Sequence, residues 1–174
     1  MNVLVACEFS GVVRDAFIRK GHNAISCDLL PTEVCGPHIK ADVMEIIKYF
    51  PPCWDLLIAH PPCTYLTCNS TRWFKDRQQE QKDAIQFVKD LLSCSIKHIA
   101  IENPIGMLSS AIRKPDQIIQ PWQFGHGETN ATCLWLTNLP CLVPTKIVET
   151  SSTRGMDKNQ TYKGIAEAMA EQWG

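Results

Sequence analysis

The sequence predicts a single α/β domain built on a doubly wound, mostly parallel sheet. Three observations predict it. Short apolar, partly β-branched runs alternate with stretches of helical periodicity along the chain. The 174 residues, 45% hydrophobic and 20% charged, suffice for one core and leave little for a second. Polar and chemically capable side chains recur just after the apolar runs, where such sheets bind their ligands.

The first run, Asn2-Val3-Leu4-Val5-Ala6-Cys7, is too short and β-branched for a helix and reads as a buried strand. Glu8-Phe9-Ser10-Gly11 follows, then Val12, Val13, Ala16, Phe17 and Ile18 at helical spacing, with Gly21 as the stop. Asn23 to Cys27 is the second strand, ending on Asp28, and residues 29–38 read as loop. Ile39 to Asp42 is a short strand, and 43–50 a short helix ended by Pro51-Pro52.

The fourth strand, 55–60, runs into Pro61-Pro62-Cys63. Neither proline can donate to a sheet ladder, so the backbone leaves the sheet there. Asp76 to Ser95 is an amphipathic helix carrying Ala84, Ile85, Val88, Leu91 and Leu92 on one face. Lys97 to Ile101 is the fifth strand, ending on Glu102-Asn103-Pro104. Periodicity weakens over 105–130, which reads as loop. Thr132 to Leu136 is a strand, Lys146-Ile147-Val148 a further short one, and Ile165, Ala166, Ala168, Met169 and Trp173 mark a closing helix.

Composition excludes several classes. No apolar run approaches the roughly 20 residues of a membrane span. The opening MNVLVACEFSG has neither a basic region nor a small-residue cleavage site, so no secretory signal is expected, and the expected location is the cytoplasm. The nine cysteines are scattered without zinc-knuckle spacing, which predicts reduced thiols and no metal site. A net charge of −1 means that any nucleic acid would be held by a local patch rather than by the whole surface. Arg72, Trp73, Lys75, Arg77 and Arg113-Lys114 are the residues for one.

Five polar features then sit at the ends of five strands. Gly11 allows a tight turn and close backbone approach, but Val12-Val13 stand where a dinucleotide fingerprint has glycines. Asp28 lies 17 residues on, near the spacing of acids that bind ribose hydroxyls. Asp42 is placed to cap the helix that follows it. Cys63, held by two prolines, combines access with the exposure a reactive thiolate needs. Glu102 ends an apolar strand, where burial is expected to raise its pKa and suit it to proton donation.

In this order the features resemble the cytosine-5 methyltransferases, enzymes of the Rossmann-like methyltransferase type that use S-adenosylmethionine. The family signature runs F-x-G, an acid, an aspartate, P-C and E-N-V after strands one to five. Here it reads Phe9-Ser10-Gly11, Asp28, Asp42, Pro61-Pro62-Cys63 and Glu102-Asn103-Pro104, and Gln160 to Ala166 is similar to the last family motif. The resemblance implies a covalent adduct of Cys63 with carbon 6 of cytosine, Glu102 acting at ring nitrogen 3, and a methyl group passing to carbon 5. It implies a cofactor held by Phe9, Ser10, Gly11, Asp28, Asp42 and Pro61, and a base met by Thr64, Tyr65, Arg72 and Asn103.

Thr64 replaces the family glutamine and Pro104 the valine, and the second glycine of the first motif is absent. Only 24 residues separate Trp135 from Gln160, where DNA-modifying members insert a target-recognition domain. The expectation is therefore one methyltransferase-like domain over 1–174, with DNA or a cytidine nucleotide as substrate and a partner subunit as the source of any target recognition. Amino-methylating enzymes carry an aromatic where Cys63 stands, so cysteine and Glu102 together favour carbon methylation. The non-enzymatic alternative is a degenerate methyltransferase fold that binds nucleic acid or protein.

Overall fold

A computed structural model describes residues 1–50, 54–67, 77–150 and 161–174. Seven strands form one sheet in the order β3-β2-β1-β4-β5-β7-β6. They are β1 (Asn2–Ala6), β2 (Asn23–Asp28), β3 (His38–Lys40), β4 (Leu56–Ala59), β5 (His98–Pro104), β6 (Gln117–Ile119) and β7 (Thr132–Thr137). The helices are α1 (Val12–Arg19), α2 (Val43–Tyr49), α3 (Gln78–Leu92), the short α4 (Leu108–Ala111) and α5 (Lys163–Trp173).

The pairs from β3 through β5 are parallel, whereas β7 runs antiparallel to both β5 and β6. Strand β4 and, after Asn2, β1 are apolar and buried because helices cover both of their faces. Alternate side chains separate into two cores. Val3, Val5, Leu56, Ile58, Ala100 and Leu134 pack with α1 and α5. Leu4, Ala6, Leu57, Ala59, Ile99 and Ile101 pack with α2 and α3. Full burial of each large aliphatic side chain contributes about 1.5–3 kcal/mol. This is the doubly wound α/β sheet that alternating strands and helices predict.

Three local expectations change. The stretch 105–130 contains α4 and β6, and Gln117–Ile119 becomes a strand only by pairing with β7. Lys146-Ile147-Val148 forms no strand: it makes an isolated bridge from Lys146 to Phe124, and the Lys146 and Val148 N–H groups donate to the Gln123 and Trp122 carbonyls at 3.2 and 3.0 Å. Strand β5 continues through Glu102, Asn103 and Pro104 because β7 supplies partners as far as Thr132. That continuation places the polar end of β5 on the sheet itself.

Strand order reverses on either side of β1, so a crevice opens between the carboxyl ends of β1 and β4. Cys7 lies at that point with φ 56°, a left-handed conformation costly for a residue with a side chain. It turns the chain so that Glu8 reaches the start of α1. There the carboxylate accepts the Val13 and Arg14 backbone N–H groups at 2.6 and 3.2 Å.

Arg14, on α1, is wholly buried. Its guanidinium donates to Asp15 Oδ1, Ser26 Oγ, Thr32 Oγ1 and the Cys35 carbonyl. These bonds bind the loop after β2 to α1.

Candidate active site

A cavity of about 290 Å³ occupies the crevice. Its lining includes Phe9 and Ser10 after β1, Asp28 at the end of β2, Pro61 to Thr64 after β4, and Glu102 and Asn103 on β5. Of the residues expected at a site, Phe9, Ser10, Asp28, Pro61, Cys63, Thr64, Glu102 and Asn103 line this one cavity. Gly11, Asp42 and Tyr65 do not line it. Arg72 lies outside the described residues. Asp42 caps α2, accepting the Met44 N–H at 2.8 Å.

Gly11 shapes the site from behind. Its φ of +75° is left-handed, and a Cβ there would stand 2.4 Å from the Arg14 guanidinium. Asp28 Oδ1 accepts the Leu30 N–H at 2.8 Å, which fixes the carboxylate at the cavity edge.

The register between β4 and β5 builds the chemical centre. Ala59 pairs with Ile101, so the next residues, His60 and Glu102, become neighbours, as do Pro61 and Asn103 after them. His60 Nδ1 donates to Glu102 Oε2 at 2.9 Å. Asn103 Nδ2 donates to the Pro61 carbonyl at 2.7 Å and ties the proline turn to β5. From β7, the Thr132 hydroxyl donates to the other Glu102 oxygen, Oε1. Glu102 pairs with Leu134, and Thr132 lies two residues along on the same face. Thr161, just before α5, brings its Oγ1 to 3.4 Å from His60 Nδ1.

The expected pKa of Glu102 is corrected by these partners. Burial raises it, but the hydrogen bond and charge of His60 and the Thr132 hydroxyl outweigh burial and hold it below the ordinary value. Glu102 is therefore a carboxylate at neutral pH, not a stored acid. For His60, burial acts downward and is outweighed by the Glu102 hydrogen bond and charge and by the charge of Glu8, so its pKa is raised.

Two cysteines line the cavity, Cys7 and Cys63. Burial foremost, then the charges of Asp28, Cys27 and Asp42, push the Cys7 thiol up to about 12. It stays protonated at neutral pH and is no nucleophile. Cys63 is partly exposed at the head of a turn in which its carbonyl accepts the Leu66 and Thr67 N–H groups at 2.9 and 3.2 Å. Buried Leu66 anchors that turn, and its carbonyl accepts the Met107 N–H at 2.8 Å.

His60, Thr132, Thr161 and Glu8 are the site residues that sequence reasoning missed. Only His60 left a local signal, a polar residue between a wholly apolar strand and two prolines. No cluster of three or more metal-ligating side chains occurs among the described residues. Nor is any helix among them long and apolar enough to cross a membrane.

No protein-family model matches the chain, and no curated protein matches it. Solved structures do. One is a structure assigned to a DNA modification methyltransferase encoded within an E. coli prophage. It is 14% identical, with a TM-score of 0.56 over 86% of this chain and 52% of that one. Another, a mutant of Spodoptera frugiperda DNMT2, is 13% identical, with a TM-score of 0.48 over 87% of this chain and 55% of that one. The chain thus spans about half the length of each. The first match shares its overall fold with this chain, in agreement with the strand order.

Proposed function

We propose that the chain transfers a methyl group to carbon 5 of a cytosine, in DNA or in a cytidine nucleotide, through a covalent Cys63 adduct. The observation that carries this reading is the convergence of Cys63 and Glu102 on one cavity at the switch point of a methyltransferase fold.

The residues present fit S-adenosylmethionine. The cavity edge at β2 offers the Asp28 carboxylate as a ribose-hydroxyl acceptor, and Phe9 and Leu30 offer apolar surface for an adenine. Asp42 caps α2 and does not line the cavity, so the cofactor reading rests on Asp28, Phe9 and Leu30. Ser10 and Pro61 line the wall beside them. When bound, the cofactor supplies an electrophilic methyl group.

The chain's own residues do the rest. Cytosine carbon 5 is inert until a nucleophile adds at carbon 6, and the Cys63 thiolate is the group here that can add. Negative charge then develops at ring nitrogen 3 and the neighbouring carbonyl, where Glu102 must hold or deliver a proton. Asn103 Oδ1 is buried with no partner among the described residues, an acceptor suited to the base's amino group. Thr64, exposed on the cavity rim, is the further base contact in this reading.

The test is incubation with methyl-labelled S-adenosylmethionine and either duplex DNA or deoxycytidine nucleotides. Label in one substrate and not the other identifies the substrate class. The near-neutral net charge favours the nucleotide as the second possibility. Cofactor binding without transfer to either substrate would make the chain a binding module. Cys63→Ser should abolish transfer while cofactor binding persists, and DNA containing 5-fluorocytosine should trap Cys63 covalently.

A further inference from the structure

Glu102 has to act at a base nitrogen that gains a proton, yet it rests as a carboxylate held by His60. We propose that His60 is the proton reserve of this site, passing a proton from Nδ1 through Glu102 to the bound pyrimidine as Cys63 adds, and taking it back on release. The inference rests on the methyl-transfer reading and assigns a residue to it that the family signature does not contain.

Geometry and charge carry it. His60 Nδ1 and Glu102 Oε2 are 2.9 Å apart, a distance over which a proton changes owner without movement of either side chain. The second Glu102 oxygen is fixed by Thr132, so the carboxylate cannot turn away from His60 as the base enters. Thr161 Oγ1 lies 3.4 Å from His60 Nδ1 and Nε2 has no partner, so Glu102 is the one carboxylate in hydrogen-bond contact with the ring among the described residues.

The groups that line the same cavity are Glu8 after β1, Asp28 on β2, Glu102 on β5, Cys7, Cys63, and Tyr162 before α5. Among the described lining residues there are three carboxylates and no lysine or arginine. An imidazolium at His60 is the cation this wall can supply.

The step balances with one proton and no net electron transfer. As the Cys63 sulfur–carbon 6 bond forms, the ring's π pair moves toward nitrogen 3. Glu102 delivers a proton there and receives the one on His60 Nδ1, leaving His60 neutral and Glu102 again a carboxylate. After transfer the carbon 5 proton leaves to water as the sulfur–carbon bond breaks and Cys63 departs as thiolate, and the nitrogen 3 proton separately returns through Glu102 to His60. His60 acts through Glu102 and is a positioning residue, not one that touches the base.

Two measurements test this. The first is 15N NMR of the histidine rings across pH, with His60 assigned by the signal lost in His60→Asn. The result expected is an imidazolium at pH 7 that becomes neutral at that pH in Glu102→Gln. A neutral His60 at pH 7 in the unsubstituted chain overturns the inference. The second is the pH profile of methyl transfer. In the unsubstituted chain the rate should fall as pH rises through the His60 pKa, because the proton is then gone.

His60→Asn keeps an N–H near the Nδ1 position but cannot titrate. It should lower kcat by about 10–100-fold, leave KM within about threefold, and lose the alkaline limb. A variant within twofold of the parent at every pH overturns the inference. Absence of transfer by the unsubstituted chain at any pH would instead remove the methyl-transfer reading. The ring spectrum then decides alone whether the pair stores a proton.

Discussion

Gly106 is where the geometry of the Cys63 loop is most exposed to a single methyl group. A Cβ at this position would stand 2.1 Å from the Leu66 carbonyl oxygen and 3.0 Å from its carbon. The obstacle is backbone, so it cannot swing aside as a flexible side chain would. The oxygen must retreat by close to 1 Å simply to reach the 3.0 Å below which real contacts hardly occur. That retreat breaks the Met107 N–H bond to Leu66 and the Thr67–Gly106 bridge, which together dock the turn headed by Cys63 onto the segment after β5.

Overpacking costs about 1–3 kcal/mol and the lost hydrogen bond about 1 kcal/mol, so Gly106→Ala should destabilise by about 2–4 kcal/mol. For a chain of this size that lowers Tm by about 5–15 °C, read by differential scanning fluorimetry. A displacement of 1 Å between nucleophile and base costs about 100-fold in rate, so transfer below Tm should fall by that order. A variant with the parent's Tm and transfer rate would show that the loop is not held through this contact.

Two further perturbations follow from buried charge. Arg14→Ala removes a wholly buried guanidinium from four partners and should cost about 3–5 kcal/mol by urea denaturation, with faster proteolysis within 29–37. A loss under about 1 kcal/mol would mean that the loop is secured elsewhere. The His60–Glu102 pair gives stability a defined pH window. The raised His60 contributes fully below its ordinary 6.5 and is lost as pH rises through the folded value. The lowered Glu102 contributes above its ordinary 4.5 and is lost as pH falls through the folded value. Melting temperatures across this range should therefore fall off on both sides, and Glu102→Gln should flatten both limbs. An unchanged profile in that variant would remove the pair as the cause.

The strand ends that carry Phe9, Asp28, Cys63 and Glu102 were legible in the sequence because each follows an apolar run closed by a turn signal or a polar residue. Those signals are local. What makes His60 the neighbour of Glu102 is the pairing of Ala59 with Ile101, a register between strands 42 residues apart that no single segment encodes. The same holds for Thr132, which reaches Glu102 only because β7 runs antiparallel to β5. β6 escaped notice because three residues of mixed polarity carry no period, and Lys146 to Val148 had the composition of a strand but meets only an isolated bridge rather than a ladder. Glu102's pKa was misjudged for one reason: burial can be read from an apolar run, but the partner that outweighs it cannot.

Glu8 carries a consequence for which ligands the crevice admits. In doubly wound folds the amides at the first helix's start ordinarily receive a diphosphate. Here the chain's own carboxylate, a buried residue of the cavity lining, already occupies the Val13 and Arg14 amides. An anionic bridge arriving from outside would find its donors taken and a like charge in its path. Under the proposed function, this arrangement suits a nucleoside whose sugar bears a cationic or zwitterionic arm in place of phosphate.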